Sequence, residues 1–256
     1  MNTVFITGTT SGFGLECAIK FGKNGWKVIS VGRREDRLKR LEEELSPHTS
    51  IYSICMDIRE KDRVFKEIGS LPEEFKDIDV LINNAGLSLG LEKAYECDIS
   101  DWDIMIDTNI KGLIYCTRAI LPGMVKRNRG TIINLGSIAS RWPYTGGNVY
   151  GATKAFVRQF SRNLRADLLG TDIRVCCVEP GLAETEFSIV RFKGDRERAK
   201  KVYEGTRSLE AKDIAEIIYW ISNLPSHINI NTIEIMPVCQ AWSTLKIHRK
   251  NDKEEL

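Results

Sequence analysis

The chain has 256 residues, 42 % of them hydrophobic, and a formal net charge of +2 from 37 basic and 35 acidic side chains. That is ample apolar material for a core and rules out a disordered chain, while the balanced charge leaves no footprint for nucleic acid or an anionic membrane. No apolar run approaches the roughly 20 residues of a membrane span, and the seven cysteines and three histidines form neither a zinc pattern nor a disulfide framework, so free thiols in a reducing compartment are expected.

The first strand is predicted at Val4–Thr7, so close to Met1 that no room remains for a signal peptide. Compact, mostly β-branched runs at Lys27–Val31, Ser50–Met56, Val80–Asn83, Gly130–Leu135, Ile173–Val178 and Thr232–Ile235 predict six more strands, covered on both faces. Between them lie helical patterns, among them Gly12–Asn24, Arg34–Leu45, Asp101–Lys126, Tyr150–Leu168 and Ala211–Asn223. Such alternation implies a parallel sheet with right-handed crossovers. The expected fold is therefore a single α/β domain over residues 1–256. Its seven-stranded sheet is doubly wound in the order 3-2-1-4-5-6-7, a Rossmann-type arrangement with helices on both faces. Leu182–Arg207 fits neither strand nor simple helix and carries Arg191, Lys193, Asp195, Arg196 and Glu197; it is either a lid near the strand ends or a solvated loop. Lys253-Glu254-Glu255-Leu256 looks like a retention signal of the endoplasmic reticulum, but without an entry signal it has nothing to act on, and a cytoplasmic location is expected.

The first strand runs into Thr7-Gly8-Thr9-Thr10-Ser11-Gly12-Phe13-Gly14 and then a helix. Glycines allow a sharp turn and close approach to a pyrophosphate, and the helix N-terminus offers free N–H groups to it. Residues 8 to 14 are accordingly assigned to a dinucleotide. Strand two ends Val31-Gly32-Arg33-Arg34, with no acid at its tip to hold an unphosphorylated ribose. Two guanidinium groups suit a 2′-phosphate instead, so NADP(H) is the expected cofactor. Asp57 and Ile58 after strand three, Asn84, Ala85 and Gly86 after strand four, and Pro180, Gly181 and Thr185 after strand six would complete its site.

Tyr150 and Lys154 lie four apart on a predicted helix, one turn apart on one face. A nearby ammonium favours a phenolate and fits the tyrosine for proton transfer to or from a carbonyl oxygen. Lys154 could also hold the nicotinamide ribose. Ser137, thirteen residues before Tyr150, stands where strand five opens into a loop and could orient the substrate oxygen. An anionic substrate would need a cation nearby; Arg191 is the first choice and Arg141 the second.

With these motifs in this order, the chain resembles the short-chain dehydrogenase/reductase family over nearly its whole length. The resemblance implies that Tyr150, Lys154 and Ser137 are catalytic and assigns Asn109 to a water-mediated proton relay with Lys154. Phe13 departs mildly from the family, where an aliphatic residue is common. Residues 142–161, 190–195 and 228–232 further resemble the NADP-dependent 3-hydroxy acid dehydrogenases within that family, also known as serine or L-allo-threonine dehydrogenases, some of which reduce malonic semialdehyde. This implies a small hydroxy acid or oxo acid substrate, with Ser137, Tyr150 and Arg191 holding it, and a cytosolic homotetramer. Two other readings stay open: a reductase of a neutral ketone, sugar or steroid, and a non-catalytic NADPH-binding sensor.

Overall fold

The computed structural model describes residues 1–242; the retention-like tail lies outside them. Strands β1 (Thr3–Thr7), β2 (Lys27–Gly32), β3 (Ile51–Cys55), β4 (Val80–Asn83), β5 (Gly130–Leu135) and β6 (Ile173–Pro180) alternate with helices. They include α1 (Gly12–Lys23), α2 (Glu35–Leu45), α3 (Lys61–Gly69), α4 (Ile99–Ile106), α5 (Leu113–Arg127) and α6 (Asn148–Asp167). After β6 come two-residue strands β7 (Ala183–Glu184) and β8 (Leu209–Glu210), short helices α7 (Phe187–Arg191) and α8 (Arg196–Lys201), then α9 (Ala211–Ser222) and β9 (Thr232–Ile235). The main sheet is parallel throughout, in the order β3-β2-β1-β4-β5-β6-β9. This is the expected winding; the last strand is the ninth only because β7 and β8 precede it.

Strand alternation divides the core into two layers. Val4 and Ile6 of β1 face Phe21 of α1, Leu41 of α2 and Ile218 of α9. Phe5, between them, faces the other layer, with Val64 of α3, Ile120 of α5 and Leu164 of α6. All five β1 side chains are buried, which explains why this strand reads as a continuous apolar run. In α2, Leu38, Leu41 and Leu45 are buried at helical spacing, while Glu35 and Asp36 occupy the first turn, where acids suit the helix dipole.

Two expectations need correction. The predicted helix Asp101–Lys126 is broken into α4 and α5 by a wide π-type turn at Asp107–Gly112. The turn brings Asn109 against the loop after β4: its Nδ2 donates to Leu87 O at 2.8 Å, and its Oδ1 accepts from Leu87 N at 2.8 Å. The stretch 182–207 is no solvated loop. It forms α7 and α8 on an excursion whose base is closed by the parallel β7–β8 pair. All seven cysteines are free. Among the described residues no helix is long and apolar enough to cross a membrane, and no cluster of three potential metal ligands occurs.

Candidate active site

The carboxyl ends of the central strands open into a cleft of about 340 Å³. Its lining includes Gly8, Thr10, Ser11, Gly12 and Phe13 from the turn after β1, Asp57 and Ile58 after β3, and Asn84, Ala85 and Gly86 after β4. Ser137, Tyr150, Lys154, Pro180, Gly181 and Thr185 complete the far side. Gly8 and Gly12 have φ of 76° and 55°, a conformation costly for any residue with a Cβ. Thr9 and Gly14, also assigned to the dinucleotide, lie behind the cleft. Thr9 is fully buried, with its N–H donating to Val31 O at 3.0 Å. A Cβ on Gly14 would strike the Gly8 carbonyl, so that glycine permits the helix to pack on the turn. Asn84 ties the same turn to β4, donating from Nδ2 to Thr7 O at 2.8 Å. Inside the cleft the buried Thr108 hydroxyl has no partner. A glycine cradle beside a helix N-terminus and an orphaned hydroxyl fit a dinucleotide.

At the end of β2 the two arginines differ. Arg33 is 57 % exposed and lies 3.6 Å from the Asp57 carboxylate. Arg34 donates from Nε and Nη2 to Thr10 Oγ1 at 3.0 and 2.9 Å, and from Nη2 to Ser11 Oγ at 2.8 Å. Its Nη1 donates to Glu186 Oε2 at 2.9 Å. Arg37 joins the same carboxylate at 2.7 Å. Burial alone would raise the Glu186 carboxyl, but the two arginines outweigh it and hold it below the usual range. Asp57 is likewise lowered against burial, chiefly by Arg59, which donates to it at 2.7 Å. Sequence reading overlooked Arg37 and Glu186. Arg37, three residues after Arg34 on a helix, carried a local signal; Glu186 had only its position beside Thr185.

At the other end Ser137, Tyr150 and Lys154 meet. Ser137 is extended before a 3-10 turn, and its Oγ accepts from Ala139 N at 3.1 Å. Tyr150 and Lys154 project from the first turns of α6, both buried. Burial pushes the Tyr150 phenol up to about 12; a hydrogen bond from Ser137 opposes the rise, Tyr144 adds to it, and Arg191 opposes it. The expected lowering by Lys154 is not found. Burial brings this lysine down to about 8, and its Nζ donates to Leu135 O at 2.7 Å, 5.9 Å from the Tyr150 ring centroid. Asn109 is close by: a Cβ on Gly86 would meet Asn109 Oδ1 at 3.2 Å and Lys154 Nζ at 3.3 Å.

A second cleft of about 240 Å³ adjoins the first, and the two share Ser137, Tyr150, Gly181, Ala183 and Phe187. Arg191 lines it with Tyr144, Tyr203, Gln240, Trp142 and Trp242. The Arg191 guanidinium carbon is 5.4 Å from the Tyr150 ring centroid, Nη2 donates to Tyr144 Oη at 3.2 Å, and the buried Nε has no partner. Arg141 does not line either cleft. Its Nε donates to Glu179 Oε2 at 2.9 Å. Glu179 is wholly buried, and a buried carboxylate requires such a partner. Of the two cations considered for an anionic substrate, only Arg191 faces the site.

A doubly wound sheet whose glycine turn shares one cleft with this Ser, Tyr and Lys defines a short-chain dehydrogenase. The short chain dehydrogenase family model matches residues 2–195, and the chain belongs to that family. It is 57 % identical over 247 residues to the NADP-dependent 3-hydroxy acid dehydrogenase YdfG of Salmonella typhi, covering 96 % of this chain and 99 % of the relative. It is 49 % identical over 247 residues to sulfoacetaldehyde reductase 2 of Chromohalobacter salexigens, covering 96 % and 98 %. A solved closed form of serine dehydrogenase complexed with NADP+ superposes with a TM-score of 0.94 at 53 % identity, covering 97 % of this chain and all of the other.

Proposed function

We propose that this chain is an NADP(H)-dependent oxidoreductase that interconverts the 3-hydroxyl of a small 3-hydroxy acid and the matching 3-oxo acid, malonic semialdehyde among them. The observation that carries the substrate class is Arg191. It lines a cleft that shares Ser137 and Tyr150 with the dinucleotide cleft, and its buried Nε has no partner. A carboxylate accepts well from such a donor. The names of the relatives support the same reading.

NADP+, when bound, supplies the hydride acceptor, and NADPH the donor. The glycine turn and the N-terminus of α1 would hold its pyrophosphate, Arg33 and Arg34 the 2′-phosphate, and Lys154 the ribose hydroxyls. Ser137 orients the substrate oxygen. Tyr150 gives that oxygen a proton in reduction and takes it back in oxidation. A phenol at about 12 is protonated at neutrality and so stands ready as the acid. Asn109 and Lys154, beside one another at Gly86, form the inner end of a proton relay. The excursion at 182–207 acts as a lid. Trp102, Ile106, Ile110 and Ile114 are all only half-buried, consistent with a face for a second copy in a cytosolic homotetramer.

The purified protein with NADP+ is to be assayed against L-serine, L-allo-threonine, 3-hydroxypropionate and 3-hydroxyisobutyrate, beside neutral alcohols of equal size and 2-hydroxyethanesulfonate. Higher kcat/KM on the carboxylates is expected. Preference for a neutral alcohol would overturn the substrate class, and preference for the sulfonate would move it to the chemistry named in the Chromohalobacter relative.

A further inference from the structure

We infer that Glu186 is a positioning residue, which clasps the 182–207 excursion to the nucleotide end of the cleft and thereby sets Phe187 and Arg191 over Tyr150. Glu186 stands immediately before α7 as its N-cap residue. Its carboxylate accepts from Arg34 at 2.9 Å and from Arg37 at 2.7 Å, both at the start of α2 and about 150 residues away in sequence. Arg34 and Glu186 both line the dinucleotide cleft, so their bridge forms part of its wall. Arg34 is itself braced on Thr10 and Ser11. The next residue, Phe187, packs on Tyr150 with ring centroids 5.6 Å apart. Arg191 closes the same short helix.

The bridge therefore joins the phosphate end of the cleft to its reacting end through a single helix. Arg33, exposed and only 3.6 Å from Asp57, keeps donors for the extra phosphate. Arg34 has most of its donors engaged on the bridge and the turn. The two adjacent arginines thus differ in load: Arg33 is free for the phosphate, whereas Arg34, beside it at the cleft, also holds the excursion together with Arg37. Ion pairs this exposed are weak, which suits a clasp that must open whenever the cofactor exchanges.

The inference rests on the oxidoreductase reading, and its first test needs no substrate. Release of NADPH and of NADH is followed by stopped-flow fluorescence for the wild type, Glu186→Gln and Glu186→Ala. Both cofactors are expected to leave roughly three- to tenfold faster by a common factor, with a larger effect for Glu186→Lys, which puts a third cation beside Arg34 and Arg37. Unchanged release would overturn the clasp. So would an effect on NADPH alone, which would make Glu186 a reader of the 2′-phosphate. In a second test, KM for 3-hydroxypropionate is expected to rise with kcat nearly unchanged, while KM for a neutral alcohol stays level. Faster release with unaltered KM for the acid would refute the positioning of Arg191. Inactivity of the wild type on hydroxy acids would refute the substrate reading and leave the release result standing.

Discussion

The two ends of the active cleft are built by different means. The nucleotide end is made of backbone: glycines at positive φ, helix N–H groups and loops at the ends of adjacent parallel strands. The end proposed to take the substrate is made of side chains brought from afar, among them Tyr144, Arg191 and Gln240. Tyr150 and Ser137 stand where the two ends meet. A shared cofactor can be held by a backbone frame fixed by the fold, whereas substrate choice depends on a few side chains that can change without disturbing the sheet.

The largest expected effect falls at the junction. Tyr150→Phe keeps the ring that packs on Phe187 and removes the hydroxyl proposed to carry the proton. Turnover should fall by roughly 10²- to 10⁴-fold or more, while NADPH affinity, measured by fluorescence titration, stays nearly unchanged. A variant that kept substantial turnover would show that the phenol is not the acid/base, and the two ends would lose their common residue. A parallel loss of NADPH affinity would place Tyr150 with the nucleotide end.

Arg191→Ala tests the substrate end alone. Removing a charge-assisted donor costs about 1.5 to 3 kcal/mol, a roughly 10- to 100-fold rise in KM for serine or 3-hydroxypropionate. A neutral alcohol should be affected much less, and NADPH release only slightly. Equal losses on charged and neutral substrates would take Arg191 out of anion recognition and leave Tyr144 and Gln240 to be examined.

The same contrast governs how much was legible in the sequence. The nucleotide end was written in contiguous residues. Val80–Asn83, Gly130–Leu135 and Thr232–Ile235 have the strand limits that their β-branched runs predict. The glycine turn, Asn84 to Gly86 and the Tyr150/Lys154 pair all reach one cleft. Local periodicity sufficed because parallel strands buried on both faces are short and apolar. The rest depends on contacts between distant residues. In the sequence only its place in the 182–207 stretch ranks Arg191 before Arg141; the physical difference is the buried Glu179, 38 residues beyond Arg141, which claims its guanidinium. The break in Asp101–Lys126 was invisible because the π-type turn keeps the helical path and is anchored by Asn109 on Leu87, 22 residues earlier. That Arg34 also meets Glu186 could not be read locally, because this partner lies 152 residues on. Phe13, which the family resemblance marks as a mild departure, lines the dinucleotide cleft and packs against the layer of the core beneath α1.

The smallest effect concerns stability and separates electrostatics from geometry at the junction. Lys154 is buried, and burial holds its pKa at about 8 against an ordinary value of 10.5. Its proton is therefore bound more weakly in the folded chain than in the unfolded one. Between those two values the unfolded state binds more protons, so this group contributes stability that rises with pH from about 8 upward, and below about 8 its charge is a constant cost. Lys154→Met removes the cost and keeps an unbranched chain in the same space. In cofactor-free protein the variant should melt above the wild type at pH 7, by a few degrees, with the gain shrinking as pH passes through 8 towards 10. Differential scanning calorimetry across that range reads the effect directly. A gain independent of pH would mean that packing, not a buried ammonium, sets the difference. A loss at pH 7 would mean that the bond to Leu135 O outweighs the desolvation of the charge, and that Lys154 enters the reaction fully protonated even before the cofactor arrives.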